Sequence, residues 1–230
     1  MPQPEPTMAV LFDMDGVLVL SNPAHQAAWA EFAQERLGLT ITKEMFYRRI
    51  SGRKNEEALE ELFPNQFTAE ELTRLSEEKE QYYREHYGPT LEPVPGVVEL
   101  IEQLRRQNVR LAVATSAISQ NVSLVLARFG IGDAFPIIVT ATDVIKAKPD
   151  PAIYLLAAEK CDMPPERCVV LEDAVAGVQA AKRANMRCLA VTTSHTTEEL
   201  LSAGADAVYP DFTAVNTQTL RNLLYGEING

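Results

Sequence analysis

Short apolar runs recur along the chain, and each is bounded by turn-forming or polar residues. The first run covers residues 8–12 and stops abruptly at Asp13. Apolar runs of this length are typical of buried strands in a parallel sheet. The same pattern predicts further strands at residues 109–114, 137–139, 168–171 and 187–191, and a weaker pattern predicts a sixth at 207–209.

Helical periodicity separates these strands. Apolar residues recur at helical spacing in residues 97–107, 121–129, 152–161 and 175–184. Gly130 and Gly132 follow the second of these segments, where a glycine suits the end of a helix. Because a chain that alternates strand and helix builds a parallel sheet covered on both faces, the sequence predicts an α/β fold with a Rossmann-like sheet.

Residues 23–88 interrupt this alternation, because they contain no strand pattern. Their periodicity predicts four helices, at residues 23–37, 43–50, 55–63 and 69–86. Gly38 can end the first helix in the left-handed conformation, and Thr68 with Glu71 forms a capping-box pattern at the start of the last. Prolines at positions 89, 93 and 95 mark the return to alternation. We therefore expect an α/β catalytic core of residues 1–20 and 91–230, with an all-helical cap inserted at residues 21–90.

Polar residues follow each of the first four predicted strands. Ligands bind beyond the carboxyl ends of the strands in an open parallel sheet, so these residues are candidates for chemistry. A polar loop start is ordinary at any one strand, and the prediction depends on all four occurring together. The candidates in chain order are Asp13 and Asp15, then Thr115 and Ser116, then Lys148, then Glu172 and Asp173.

Carboxylates at the ends of two strands indicate a cation. Two unit negative charges ~4 Å apart repel each other by about 4 kcal/mol at an effective dielectric constant near 20. Hard oxygen ligands favour Mg2+, and no histidine or cysteine stands at the spacing of a zinc site. A carboxylate at such a site can attack phosphorus, and a second carboxyl two residues further on could move a proton. An ammonium and a hydroxyl could hold the phosphoryl oxygens.

The net charge and composition limit the classes of molecule that the protein could bind. The formal net charge of -11 disfavours nucleic acid, which needs a basic face, but it leaves room for a small phosphorylated metabolite inside one cleft. No apolar stretch approaches the ~20 residues of a membrane span, and the polar, proline-rich first residues do not resemble a signal peptide. The three cysteines form no CxxC pair, which favours buried thiols. We expect a cytoplasmic protein without a membrane partner; the sequence leaves its oligomeric state open.

Four short motifs in this order resemble those of the haloacid dehalogenase superfamily. The runs FDMDGVL, VATSA, KPDPAIY and VVLEDAVAGVQAA are similar to its phosphatase and β-phosphoglucomutase branch, and the helical insertion lies where that branch has an α-helical cap. The superfamily's dehalogenases lack the second aspartate of the first motif. Its presence here as Asp15 implies phosphoryl transfer.

The resemblance implies a role for each core motif. Asp13 would be the nucleophile and a metal ligand, and Asp15 the general acid and base, with its backbone carbonyl on the metal. Lys148 would neutralise charge on the nucleophile and the phosphate. The remaining implied roles are phosphoryl binding by Thr115, Ser116 and Ala117, and ligation of Mg2+ by Asp173 and, directly or through water, by Glu172.

Residues of the predicted cap are candidates for substrate binding. His25 follows the start of the first cap helix; a lone histidine is often structural, but its family counterpart lies near the acid and base. Gly52 and Arg53 occupy a loop that could aim a cation inward, as could Lys54, although a solvated basic turn fits equally well. Lys79 aligns with a family lysine that faces the cleft, but its acidic neighbours also suit a surface lysine. Trp29 and Phe32, at helical spacing, are more typical of a cap core.

Two departures from the branch bear on the reaction. Leu20 replaces an aspartate before Ser21, which could alter the hinge between core and cap. Asn55 stands where β-phosphoglucomutases have an arginine, and a mutase must hold a second phosphate across the cleft. We therefore expect a phosphatase acting on a small phosphomonoester, such as a sugar phosphate or phosphoglycolate, through an aspartyl-phosphate.

Three alternatives are weighed against a phosphatase. The first is a phosphosugar mutase of the β-phosphoglucomutase type. The second is a non-catalytic phosphate-binding regulatory protein, which the intact set of motif residues disfavours. A receiver-type signalling domain also phosphorylates an aspartate, but its acidic pair precedes that aspartate and it has no helical cap.

Overall fold

Six parallel strands form one sheet within residues 7–50 and 54–226, the part of the chain that the computed structural model describes. The side chain of Tyr47 is outside this description. All six predicted strands are confirmed. They are β1 (Ala9–Phe12), β2 (Arg110–Ala114), β3 (Ile137–Val139), β4 (Cys168–Glu172), β5 (Arg187–Val191) and β6 (Ala207–Tyr209).

The strand order β3-β2-β1-β4-β5-β6 puts β1 at the centre of the sheet. Phe12, the last residue of β1, pairs with Val113 of β2 on one side and Leu171 of β4 on the other. The chain proceeds outward in one direction through β2 and β3 and in the other through β4 to β6, so the order reverses beside β1. Ligands bind at such a switch point, and Asp13 follows β1 there.

The helices match the predicted alternation, with two additions. The predicted segment 43–50 appears as α2, which continues as a π-helical turn over Phe46–Ile50. The predicted segment 69–86 appears as α4, with its capping box. The additions are the short helices α9 and α10. The helices are α1 (Asn22–Leu37), α2 (Lys43–Met45), α3 (Asn55–Leu62), α4 (Ala69–His86), α5 (Val97–Arg106), α6 (Ser119–Phe129), α7 (Ala152–Lys160), α8 (Val175–Arg183), α9 (Thr197–Ser202) and α10 (Thr217–Tyr225).

Glycine ends two helices as expected, but the expectation for Gly132 was wrong. Gly38 and Gly130 adopt φ of 65° and 66° directly after α1 and α6. Gly132 instead begins the short 3-10 turn Gly132–Ala134, because Gly130 has already ended α6. No helix within residues 7–50 and 54–226 is long and apolar enough to cross a membrane.

The chain divides into two compact units. The sheet unit comprises the described residues up to Leu20 and the chain from Glu92 onward, and the helical unit is Ser21–Leu91. Within the sheet unit, Leu20 N–H donates to the carbonyl of Glu92 at 3.0 Å, so the chain leaves and re-enters this unit at adjacent points. Leu20 is 36% exposed. Its effect on a hinge stays a prediction.

Each unit has its own apolar core. In the sheet unit, α7 and α8 cover one face, where Ile153 and Val178 pack with Leu11 of β1 and Val170 of β4. All three cysteines are buried free thiols, as predicted. In the helical unit, the core includes Trp29 and Phe32 of α1, which confirms their predicted place, together with residues of α3 and α4.

Candidate active site

Asp13 lies one residue beyond β1 at the edge where the strands end. Its backbone N–H donates to the carbonyl of Leu171 at 3.0 Å, so β4 fixes its position. The residue is only 7% exposed, and Lys148 Nζ donates to its Oδ1 at 2.5 Å. Burial raises the pKa of Asp13 well above its usual range, and Lys148 opposes this. The nearby carboxylates of Glu172, Asp15 and Asp173 raise it further.

Lys148 is held by three acceptors. Its ammonium donates to Asp13 Oδ1, to Glu172 Oε1 at 2.7 Å and to the carbonyl of Ala114 at 3.3 Å. Burial disfavours its charge, but the carboxylates of Asp13 and Glu172 hold its pKa above the usual value. The ammonium is therefore charged at neutral pH and lies directly against the nucleophile candidate.

Glu172, the last residue of β4, is fully buried yet has every carboxylate oxygen paired. Oε1 accepts from Lys148 and from the hydroxyl of Tyr154 at 2.6 Å. Oε2 accepts from the backbone N–H groups of Asp173 and Ala174 at 2.9 and 3.0 Å. Burial raises its pKa, but Lys148 and these hydrogen bonds outweigh burial and leave the pKa below the ordinary value. Glu172 is thus an anion fixed by four donors.

Asp173 is surrounded by hydroxyl groups from the loop after β5. The Thr193 hydroxyl lies 2.9 Å from Asp173 Oδ2 and 2.6 Å from the carbonyl oxygen of Gly16, and the Ser194 hydroxyl donates to the same Oδ2. Burial and the charge of Glu172 raise the pKa of Asp173 to about 7, against the opposing effect of both hydroxyls. This loop therefore connects Asp173 to the turn that follows Asp15.

The carboxylates of three residues could hold a metal ion together. Asp13, Glu172 and Asp173 each offer an oxygen, and these oxygens lie within 4.8 Å of one another. Each is buried, and one ammonium does not balance three carboxylates. A hard divalent cation with oxygen ligands fits this donor set, as Mg2+ does. The carboxylate of Asp15 is outside this group of three, and the resemblance assigns its backbone carbonyl to the metal.

Two glycines make room for these carboxylates. A Cβ on Gly16, whose φ is +77°, would lie 1.8 Å from Asp173 Oδ2. A Cβ on Gly177 in α8 would lie 1.6 Å from Glu172 Oε1. Neither separation is possible, so only glycine lets the backbone approach so closely. Sequence reasoning did not assign a function to Gly177, although an isolated glycine inside a helical pattern is a signal of close packing.

Thr115, Ser116 and Ala117 form the turn after β2. Thr115 is buried, and its hydroxyl accepts a hydrogen bond from the N–H of Ala117 at 3.1 Å, which tightens the turn. Ser116 is exposed. Lys148 contacts the carbonyl of Ala114 directly before this turn. The sheet unit thus brings the turn to the same strand edge as Asp13.

The helical unit brings two of the other candidates together. Lys79 of α4 is 1% exposed, and its ammonium lies 3.0 Å from His25 Nδ1 and donates to Glu80 Oε1 at 2.8 Å. The ring centroids of Trp29 and Tyr83 each lie 5.5 Å from Lys79 Nζ. The alternative of a surface lysine is therefore wrong. Gly52 and Arg53 lie outside the described residues, and Lys54 is exposed.

Asn55 belongs to the same buried network. Its amide donates to Glu80 Oε1 at 2.7 Å, so one carboxylate oxygen accepts from both Asn55 and Lys79. Burial and the Lys79 ammonium lower the pKa of His25 to about 3. This imidazole is therefore neutral across the physiological pH range, while Lys79 and Glu80 form an ion pair.

Comparison with known proteins gives the family. The model of a family described as haloacid dehalogenase-like hydrolase matches residues 10–191. The chain is 34% identical over 205 residues to validoxylamine A 7'-phosphate phosphatase of Streptomyces hygroscopicus subsp. limoneus. This match covers 89% of this chain and 94% of that protein. It is 35% identical over 191 residues to β-phosphoglucomutase of Bacillus subtilis (strain 168), covering 80% and 82% of the two chains.

A solved structure supports the same relationship. The crystal structure of a HAD hydrolase of family IA, variant 3, from Entamoeba histolytica HM-1:IMSS has a TM-score of 0.87 and 27% sequence identity. The match covers 95% of this chain and 99% of that one, and it confirms the predicted α/β fold with a helical insertion. The chain belongs to the haloacid dehalogenase-like hydrolase family.

Proposed function

We propose that this chain, a phosphoric monoester hydrolase of its family, is a Mg2+-dependent phosphatase for a small phosphorylated metabolite. The observation that carries the proposal is the buried carboxylate of Asp13. It lies 2.5 Å from the ammonium of Lys148 and within 4.8 Å of oxygens of Glu172 and Asp173. A nucleophile that is desolvated, charge-compensated and fixed at the switch point of the sheet suits attack on phosphorus.

Asp13 and Asp15 would share the chemistry in two steps. A carboxylate oxygen of Asp13 attacks phosphorus, the bond from phosphorus to the leaving oxygen breaks, and Asp15 gives that oxygen a proton. Asp15 then takes a proton from water as the water attacks the phosphoryl group, which releases inorganic phosphate and restores Asp13. The two proton transfers balance, so the enzyme returns to its starting state.

The other core residues would stabilise charge. Lys148 compensates the negative charge on Asp13 and on the phosphoryl oxygens, and Thr115, Ser116 and the N–H of Ala117 are the proposed donors to those oxygens. Asp13, Asp173, the backbone carbonyl of Asp15 and, directly or through water, Glu172 would hold the cation. When bound, Mg2+ would supply positive charge that draws the carboxylates and the phosphoryl group together.

A small sugar-like phosphate is the substrate class that we propose. The two relatives described above are named for a validoxylamine 7'-phosphate phosphatase and a phosphoglucomutase. Asn55 favours the phosphatase, because its neutral amide is bound to Glu80 where the mutases have an arginine. His25, Gly52, Arg53 and Lys79 are the proposed contacts to the leaving group.

Phosphate release from a panel of small phosphomonoesters, with Mg2+ and with EDTA, tests the proposal. The panel includes sugar phosphates, phosphoglycolate, and β-glucose 1-phosphate with glucose 1,6-bisphosphate. We expect release from one or a few esters with Mg2+ and none with EDTA. Conversion of the glucose phosphate with almost no release would make the enzyme a mutase. Equal release in EDTA would contradict the metal dependence.

A further inference from the structure

Tyr154 contacts Lys148, which donates to Asp13, and Glu172, which holds Lys148. The tyrosine lies in α7 and is fully buried. Its hydroxyl donates to Glu172 Oε1 at 2.6 Å, and its ring centroid lies 4.8 Å from Lys148 Nζ. A buried tyrosine hydroxyl needs a partner, but a phenylalanine would fill the same volume without one. The choice of a tyrosine here is therefore more than a packing choice.

The hydroxyl completes the fixation of Glu172. One oxygen of this carboxylate is tied by the two backbone N–H groups, and the other is shared by Tyr154 and Lys148. Because four donors converge on two oxygens, the carboxylate cannot rotate without breaking at least two hydrogen bonds. Gly177 leaves the space in which Glu172 sits. Glu172 is thus a rigid acceptor for the ammonium.

The ring adds a second constraint on Lys148. An ammonium within about 6 Å of an aromatic face is attracted by the ring quadrupole, and more strongly in a buried site. When Asp13 takes up a phosphoryl group, its carboxylate can no longer neutralise Lys148 as before. Glu172 and the Tyr154 ring would then keep the ammonium at the reacting centre.

We propose that Tyr154 is a positioning residue that fixes Lys148 against the transferring phosphoryl group, through Glu172 and through its own ring. This rests on the proposed function, because it assigns Lys148 to phosphoryl charge. Tyr154 closes the run KPDPAIY, in which only Lys148 was assigned a role from the sequence. In this role Tyr154 acts through its two neighbours, Glu172 and Lys148.

Tyr154→Phe tests the hydroxyl while keeping the ring. A hydrogen bond to a charged group contributes about 1.5–3 kcal/mol, so we expect kcat to fall by roughly tenfold to a hundredfold. KM for the best ester should rise as well, because Lys148 is proposed to compensate the charge of the phosphoryl oxygens in the bound ester. Tyr225→Phe is the matched control, since its hydroxyl donates to the carbonyl of Thr7, away from the site. A wild-type kcat in Tyr154→Phe would overturn the proposal.

A double-mutant cycle distinguishes positioning from a merely structural role. Calorimetry measures the affinity for inorganic phosphate, in Mg2+, of wild type, Tyr154→Phe, Lys148→Ala and the double variant. Tyr154→Phe should weaken phosphate binding when Lys148 is present and leave it unchanged in the Lys148→Ala background. Equal weakening in both backgrounds would mean that Tyr154 only supports the fold, and would overturn the proposal.

The outcome for the proposed function is separate. If wild type releases no phosphate from any ester of the panel, the proposed function fails, whatever Tyr154 does. If wild type is active with Mg2+ and Tyr154→Phe matches it in kcat or in phosphate affinity, only the positioning role fails.

Discussion

At the scale of single residues, the site depends on carboxylates whose space is supplied by glycine. Gly177 is the clearest case, because it sits in α8, where glycine normally costs helix stability relative to alanine. The helix keeps it because a Cβ would lie 1.6 Å from Glu172 Oε1. The packing requirement of the carboxylate therefore outweighs helix propensity at this position.

Gly177→Ala should therefore destabilise the protein, although the same change in an ordinary helix stabilises it. Overpacking a buried site costs about 1–3 kcal/mol, and displacing Glu172 should also lower kcat. Gly132→Ala is the control, because its Cβ would have as its nearest neighbour Leu126 Cβ at 4.0 Å. Denaturant unfolding and phosphate release measure the two effects. A Gly177→Ala variant as stable and active as wild type would show that Glu172 is not confined as described.

His25 gives a prediction for pH. Its pKa is lowered to about 3 by burial and by Lys79, so the folded protein keeps this imidazole neutral. An unfolded chain takes up the proton near pH 6.5, so this contribution to stability is fully present above that pH and is lost as the pH falls towards 3. The ring protons of His25, followed by NMR, should show no protonation down to about pH 4.

His25→Gln assigns the resonance and tests the link to stability. Without the histidine, the fall in the free energy of unfolding between pH 6 and pH 4 should be shallower by up to ~1.4 kcal/mol per pH unit, which corresponds to one proton. A titration midpoint near 6.5 for His25 in the folded protein would contradict the buried contact with Lys79.

At the scale of elements, local signals in the sequence predicted most of the structure. All six strands were recognisable because each is a short, mainly apolar run. The central strands β1 and β4 are buried along their whole length, whereas β3 and β6 at the edges of the sheet are only partly buried. The helices α9 and α10 were missed although both begin with capping boxes, at Thr196 and Asn216, and although Leu220 and Leu224 recur at helical spacing in α10.

The capping box of α4 allows the contribution of one such local signal to stability to be measured. The Thr68 hydroxyl accepts from the N–H of Glu71 at 3.3 Å, and Glu71 Oε2 accepts from the N–H of Thr68 at 2.8 Å. Thr68→Ala should lower the free energy of unfolding by about 1 kcal/mol, and Thr68→Ser should restore most of it. Chemical unfolding followed by circular dichroism measures both. Equal stability of the alanine and serine variants would mean that the cap contributes nothing.

Sequence patterns predicted only those residues of the candidate site that lie at or after the ends of strands. Asp13, Glu172 and Asp173 come together because parallel strands end at one edge, which periodicity alone reveals. The role of Tyr154 was not apparent although the residue ends the run KPDPAIY, because on an apolar helix it resembles any core aromatic. Thr193 and Ser194 were hidden in the same way, because nothing local connects the loop after β5 with Asp173. Their contacts depend on which elements are neighbours in space, and one sequence does not state this.

At the scale of the whole molecule, two compact units share one chain. The sheet unit carries the core motifs, and the helical unit Ser21–Leu91 carries the buried network of His25, Lys79, Glu80 and Asn55. The sheet unit receives the chain back at Glu92, beside Leu20, so the insertion does not interrupt its sheet. We propose that the two units have different functions: the sheet unit transfers the phosphoryl group, and the helical unit selects the phosphate ester.

The central claim is that the phosphoryl group passes through Asp13. The most direct test is to quench the enzyme in acid during turnover of its best ester and to locate the phosphoryl group by mass spectrometry of peptic peptides. We expect one phosphoryl group on Asp13 in wild type with Mg2+. Asp13→Asn should carry none, should fold normally by circular dichroism and should release no phosphate. A wild-type rate of release in Asp13→Asn, or phosphate found on another residue, would contradict the account.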